Sequence, residues 1–136
     1  MDELHLMQAR LDDYGKFSDC IVAGIEWSDH CSTVTVVMDY IWASDGAVRS
    51  PNSAQTFVEL RFELVREFRC DNAFSPMVFQ DPSLLGWSHN EVSSVWLLDE
   101  RREITPGINL YRARFNWEMQ TWIEIVFTKL SITERA

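Results

Sequence analysis

Thr56-Phe-Val-Glu-Leu-Arg-Phe-Glu-Leu64 decides the fold class of this chain. Val58, Leu60, Phe62 and Leu64 fall on one parity, and Glu59, Arg61 and Glu63 on the other. Successive strand side chains point to opposite faces, so the run reads as a half-buried antiparallel strand. The strand reading extends over residues 56–69. Its charged face reads as a solvated surface with cross-strand ion pairs, for which Arg112 and Arg114 are candidate partners.

The same period of two recurs on both sides of this run. Residues 20–27 and 33–42 read as a hairpin, joined by the turn formers Ser28-Asp-His-Cys-Ser32. In its second strand Val34, Val36, Met38, Tyr40 and Trp42 share one face. Further strands are expected over 92–98, 110–118 and 121–130, with a turn over 101–107. A loop is expected over 43–54. Residues 70–90 are irregular, with Pro76, Pro82 and Gly86, yet they hold Phe74, Met77, Val78, Phe79, Leu84, Leu85 and Trp87. That segment is expected to pack on the sheet, and long loops in compact domains often carry function.

Leu4, Met7 and Leu11 recur at helical spacing, with Asp2 as a cap and Gly15 as a stop, so residues 2–14 read as a short helix. A helix this short is marginal alone and needs a tertiary surface. The expected fold is therefore α+β and mainly β. A short N-terminal helix packs on one twisted antiparallel meander sheet, or a partial barrel, of about six strands.

With 136 residues and 46% apolar content, the chain reads as a single globular domain, 1–136, that needs no metal or disulfide to hold its core. Six Trp and eight Phe exclude disorder. Its 12 basic and 21 acidic residues give a net charge of −9, which argues against nonspecific nucleic-acid binding. The charge is uneven: residues 1–48 carry −7 and residues 49–136 only −2. Cys20, Cys31 and Cys70 are odd in number and irregular in spacing, which fits a reducing compartment. Met1-Asp2-Glu3-Leu4-His5 lacks the basic start and apolar run of a signal peptide, and no apolar run is long enough to cross a membrane. A cytoplasmic location is expected, with no membrane partner.

The sequence shows no glycine-rich phosphate loop, no nucleophile elbow and no zinc-protease helix. Asp29-His30-Cys31 offers three metal-ligand types, but neighbouring residues point apart and no paired ligand spacing supports them. Cys20 with His5, or Cys70 with His89, would form a nucleophile and base only if the fold joined them. No catalytic residue, cofactor or metal is expected. Trp and Arg are the enriched anchors of protein interfaces, so at least one of the six Trp is a candidate for exposure.

Phe17-Ser18-Asp19-Cys20-Ile21-Val22, followed by Ile25-Glu26-Trp27 and a hairpin, resembles the opening of small bacterial immunity proteins of polymorphic toxin systems. Their Phe-His-Asp-Ser pattern is altered here at Ser18 and Cys20. The resemblance covers about residues 17–42. It implies a cytoplasmic protein-binding module that neutralises a cognate toxin through direct contact. Asp12, Asp13, Asp29 and Asp45, with Trp87, are the expected partner-binding residues, an acidic surface being suited to a basic partner. Asp19 is expected to fix the helix-to-strand corner through backbone amides. The alternative is a small-molecule-binding β protein or enzyme with a cavity between sheet, helix and the 70–90 loop. A homodimer through a sheet face or an edge strand is a third expectation.

Overall fold

The computed structural model describes residues 3–18, 20–30, 32–40, 56–70, 92–106, 108–117 and 122–135. The expected helix is present as α1 (Glu3–Asp13), and its buried face is Leu4, Met7 and Leu11. A three-residue 3-10 turn, Gly15–Phe17, follows it. The strands are β1 (Ile21–Ser28), β2 (Thr33–Tyr40), β3 (Thr56–Glu63), β4 (Glu67–Cys70), β5 (Val92–Thr105), β6 (Ile108–Trp117), β7 (Trp122–Phe127) and β8 (Lys129–Arg135). The chain is mainly β, as its alternation predicts.

The strands form two sheets. Sheet I has the order β1-β2-β3-β8 and sheet II the order β4-β7-β6-β5, with every neighbouring pair antiparallel. This corrects the expected single sheet of about six strands. Each sheet contains a three-stranded meander, and two further strands cross between the sheets. No closed barrel forms among the described residues.

The extra strands arise because two predicted runs each break. The run over 56–69 divides into β3 and β4, and the run over 121–130 into β7 and β8. β3 pairs with β8 in one sheet, and β4 with β7 in the other. The two halves are thus one long two-stranded ribbon, bent where it changes sheets. Leu64, Val65 and Arg66 separate the paired positions Glu63 and Glu67, whereas only Phe127 and Thr128 separate Val126 and Lys129. The extra residue on one side bends the ribbon as a bulge does. Arg66 N–H donates to the Val126 carbonyl at 2.8 Å, and Thr128 N–H to that of Glu63 at 3.1 Å, so the ladder survives the bend.

Leu64 sits at this bend with φ of +53° and is 60% exposed. The parity reading places it with Val58, Leu60 and Phe62. Those three are buried, but the bend turns Leu64 out. The core lies between the sheets, where Phe62 meets Phe127 at 4.9 Å and Phe115 at 6.0 Å.

Helix α1 closes one seam of this sandwich. β8 is the edge of sheet I and β5 the edge of sheet II. Arg10 Nη2 donates to the Ile132 carbonyl of β8 at 2.6 Å, and Leu97 N–H of β5 donates to Gln8 Oε1 at 3.0 Å. Two edges that would otherwise offer open backbone groups are therefore occupied by helix side chains. At the opposite seam, Trp27 of β1 meets Phe68 of β4 with ring centroids 4.9 Å apart.

Candidate functional site

The outer face of sheet II is set by strand parity. Val95 and Leu97 point into the core, so Trp96 points out. Ala113 and Phe115 point in, so Arg114 points out; Ile123 and Ile125 do the same for Glu124. Pairing aligns Arg69, Glu124, Arg114 and Trp96 in one row across the four strands. Glu124 is only 8% exposed although it lies on the outer face. Arg112 Nη1 and Arg114 Nη1 each reach one of its oxygens at 2.9 Å. Arg114 also stacks over the Trp122 ring at 5.0 Å and donates to Asn116 Oδ1 at 2.9 Å. Arg112 and Arg114 therefore serve Glu124, not Glu59 or Glu63 as expected, because β6 and β3 lie in different sheets. Glu63 instead meets Arg61 at 3.6 Å and Lys129 at 3.8 Å, and Glu59 is held by Arg135.

Trp96 is 43% exposed, on the edge strand beside α1. Its Nε1–H donates to Ser94 Oγ at 2.7 Å, which fixes the indole. The Lys16 ammonium lies 4.6 Å from the ring centroid, a cation–π distance. The same ammonium meets Asp12 at 3.0 Å. Gln8 Nε2 donates to Asp12 Oδ1 at 3.0 Å, while Gln8 Oε1 accepts from Leu97 N–H. Contacts thus run in a closed ring from Leu97 through Gln8, Asp12 and Lys16 to Trp96, next in sequence to Leu97. The Gln8 hydrogen bond, and then Lys16, hold the Asp12 carboxyl below its ordinary value of 3.8.

Backbone strain positions this ring. Gly15, Lys16 and Phe17 have φ of +59°, +54° and +55° in succession. Left-handed geometry suits glycine and costs other residues, and bulky residues adopt it rarely. Burial of Phe17, which is 0% exposed and stacks on Tyr14 at 5.2 Å, offsets that cost. The result aims Lys16 at Trp96.

Of the expected partner-binding residues, Asp12 and Asp13 lie on α1, and Asp12 belongs to this ring. Asp29 lies elsewhere, in the turn between β1 and β2. It has φ of +52°, accepts from Thr33 Oγ1 at 3.1 Å and lies 3.9 Å from Arg61. Tyr14, just past α1, touches Tyr40 at the far end of β2 from Thr33. The β2 strand spans roughly 23 Å at about 3.3 Å per residue, so Asp29 and the Asp12 corner lie toward opposite ends of sheet I. Asp45, Trp87 and Asp19 lie outside the described residues, as does most of the 70–90 loop. At the corner assigned to Asp19, Cys20 N–H donates to the Phe17 carbonyl at 3.0 Å.

Cys20 is buried, Cys70 is half-buried at the end of β4, and both Cys31 and His89 lie outside the described residues. Among the described residues no three His, Cys, Asp or Glu side chains converge as a metal site. No helix among them is long and apolar enough to cross a membrane. An open groove of about 260 Å³ lies on the outer face of sheet I, with Val37 among its walls beside Gly24, Phe57 and Arg135. It is distinct from the cavity expected between sheet, helix and loop.

Trp96 and Lys16 were not singled out by the sequence. Parity between the apolar Val95 and Leu97 points Trp96 outward. Lys16 carried no comparable signal, since its placement depends on the left-handed turn. No family model, no curated protein and no solved structure matches the chain.

Proposed function

We propose that this chain is a cytoplasmic protein-binding module of the immunity type, which neutralises a toxin by direct binding. Its contact surface centres on Trp96, with Lys16 and Asp12 beside it, Arg114 on the neighbouring strand, and Asp13 next to Asp12 at the end of α1. The observation that carries this reading is Trp96 itself, a half-exposed indole held by Ser94 and Lys16 on a sheet edge. An aromatic side chain already fixed in place loses little conformational entropy on binding, which suits it as an anchor. The acidic first third of the chain adds long-range attraction for a basic partner.

Co-expression with the product of the adjacent reading frame tests the proposal. The wild-type chain should restore growth, and Trp96→Ala should lose the protection while remaining folded by circular dichroism. A product that is not toxic, or protection unchanged by Trp96→Ala, would refute this reading.

A further inference from the structure

We propose that the outer face of sheet I carries a second contact site, a groove that takes a long basic side chain of a protein partner, lysine in its simplest form. The site lies on the other sheet from Trp96 and does not depend on the contacts assigned there. Strand parity builds its floor. Val36 and Met38 point into the core, so Val37 points out, and Val58 does the same for Phe57. Val37 is buried at the bottom and pairs with Gly24. The register shift between Val22 and Gly24 makes Ala23 the extra residue of a bulge, so Ala23 and Gly24 both line the groove. A Cβ built at Gly24 would meet no atom of the described residues within 4 Å. The floor is thus sunken and apolar, and the space above it measures about 260 Å³.

Charge forms the rim. Arg135 of β8 donates through Nε to Glu59 Oε1 at 2.6 Å and reaches Glu26 of β1 at 3.4 Å, across the full width of the sheet. Two carboxylates thus meet one guanidinium, which leaves one negative charge in excess. Glu26 is the loosely held one. Its side chain is 58% exposed, and both of its oxygens lie 3.4 Å from Arg135 Nη2. A carboxylate has lone pairs enough to accept from a second donor. An apolar floor ending at a carboxylate suits a methylene stem with a cationic head. A neutral apolar group gains from the floor alone, and the excess negative charge disfavours an anion.

The groove is smaller than the roughly 300–1,000 Å³ pockets that enclose drug-sized ligands, and it is open on its solvent side. That shape admits one side chain while the backbone that carries it stays outside. The net charge of −9 adds long-range attraction for a basic partner.

The test is an NMR titration that follows the backbone amides of Gly24, Glu26 and Val37. The probes are a blocked glycine peptide with one central lysine, n-butylammonium and butyrate. The peptide and butylammonium should shift these amides to saturation, and butyrate should not. Glu26→Gln should weaken the peptide by about two- to fivefold, the size of a surface ion pair. Gly24→Leu and Ala23→Leu fill the groove and should each weaken it by about tenfold or more, through lost burial of the stem. Ala23 is exposed, which makes its substitution the milder of the two, and circular dichroism checks that each variant folds. A peptide that gives no saturable shift overturns the proposal, and butylammonium binding without the peptide assigns the groove to a free amine instead. An equal response to butyrate, or peptide binding indifferent to Glu26→Gln and to a folded groove-filling variant, overturns it as well.

Discussion

Replacing Phe17 by glycine should cost less stability than replacing it by alanine, the reverse of the usual order. The ring is fully buried, stacks on Tyr14 at 5.2 Å and meets Tyr40 edge-on at 6.1 Å. Either substitution removes it, at about 3–5 kcal/mol. The backbone decides the difference. At φ of +55° alanine keeps the left-handed penalty of about 1–2 kcal/mol, which glycine escapes. Glycine gives back about 0.5–1 kcal/mol through the greater freedom of its unfolded chain. The net is about 1 kcal/mol in favour of glycine. Urea unfolding of both variants, compared at equal slope, measures it. An alanine variant as stable as the glycine variant would show that residues 15–17 are not left-handed, and the placement of Lys16 over Trp96 would fall with them.

Two further predictions concern charge. Glu124→Gln should cost about 1–3 kcal/mol, less than a fully buried broken pair because Arg112 and Arg114 keep some solvent. Denaturant titration checks this, and a loss below about 0.5 kcal/mol would mean that water already screens the pair. Burial, with Glu134 also acting on Tyr14, raises the Tyr14 and Tyr40 hydroxyls above 10.0. The folded state thus holds these protons more tightly, so their contribution is full below pH 10.0 and is lost as pH rises through the folded values. Thermal melts at rising alkaline pH should fall less steeply for Tyr14→Phe than for wild type; equal slopes would sink the assignment.

The elements were legible where local pattern sets them. Alternation located β2, β3 and β6, and the spacing of Leu4, Met7 and Leu11 gave both α1 and its buried face. The sheet-changing bend was not legible. Leu64 continues the parity of Phe62, and nothing local marks it as left-handed; the bend follows from which strand each half pairs with. Likewise β5 runs through residues 101–105, expected as a turn, because the backbone there stays paired with β6 despite three register shifts along the strand. At the site, Asp12 was singled out for its charge, whereas its neighbours depend on tertiary contact. Gln8 reaches across 89 residues to Leu97, a separation no local pattern encodes. The acidic first third is likewise divided in space, since an eight-residue strand separates Asp29 from the Asp12 corner.

The most direct test of the central claim is the affinity of the purified adjacent-frame product for this chain and for its Trp96→Ala variant, by titration calorimetry. The account predicts a complex for the wild type and a loss of about thirtyfold or more in the variant, the effect of removing an interface anchor of about 2 kcal/mol. Equal affinity for the two would contradict it.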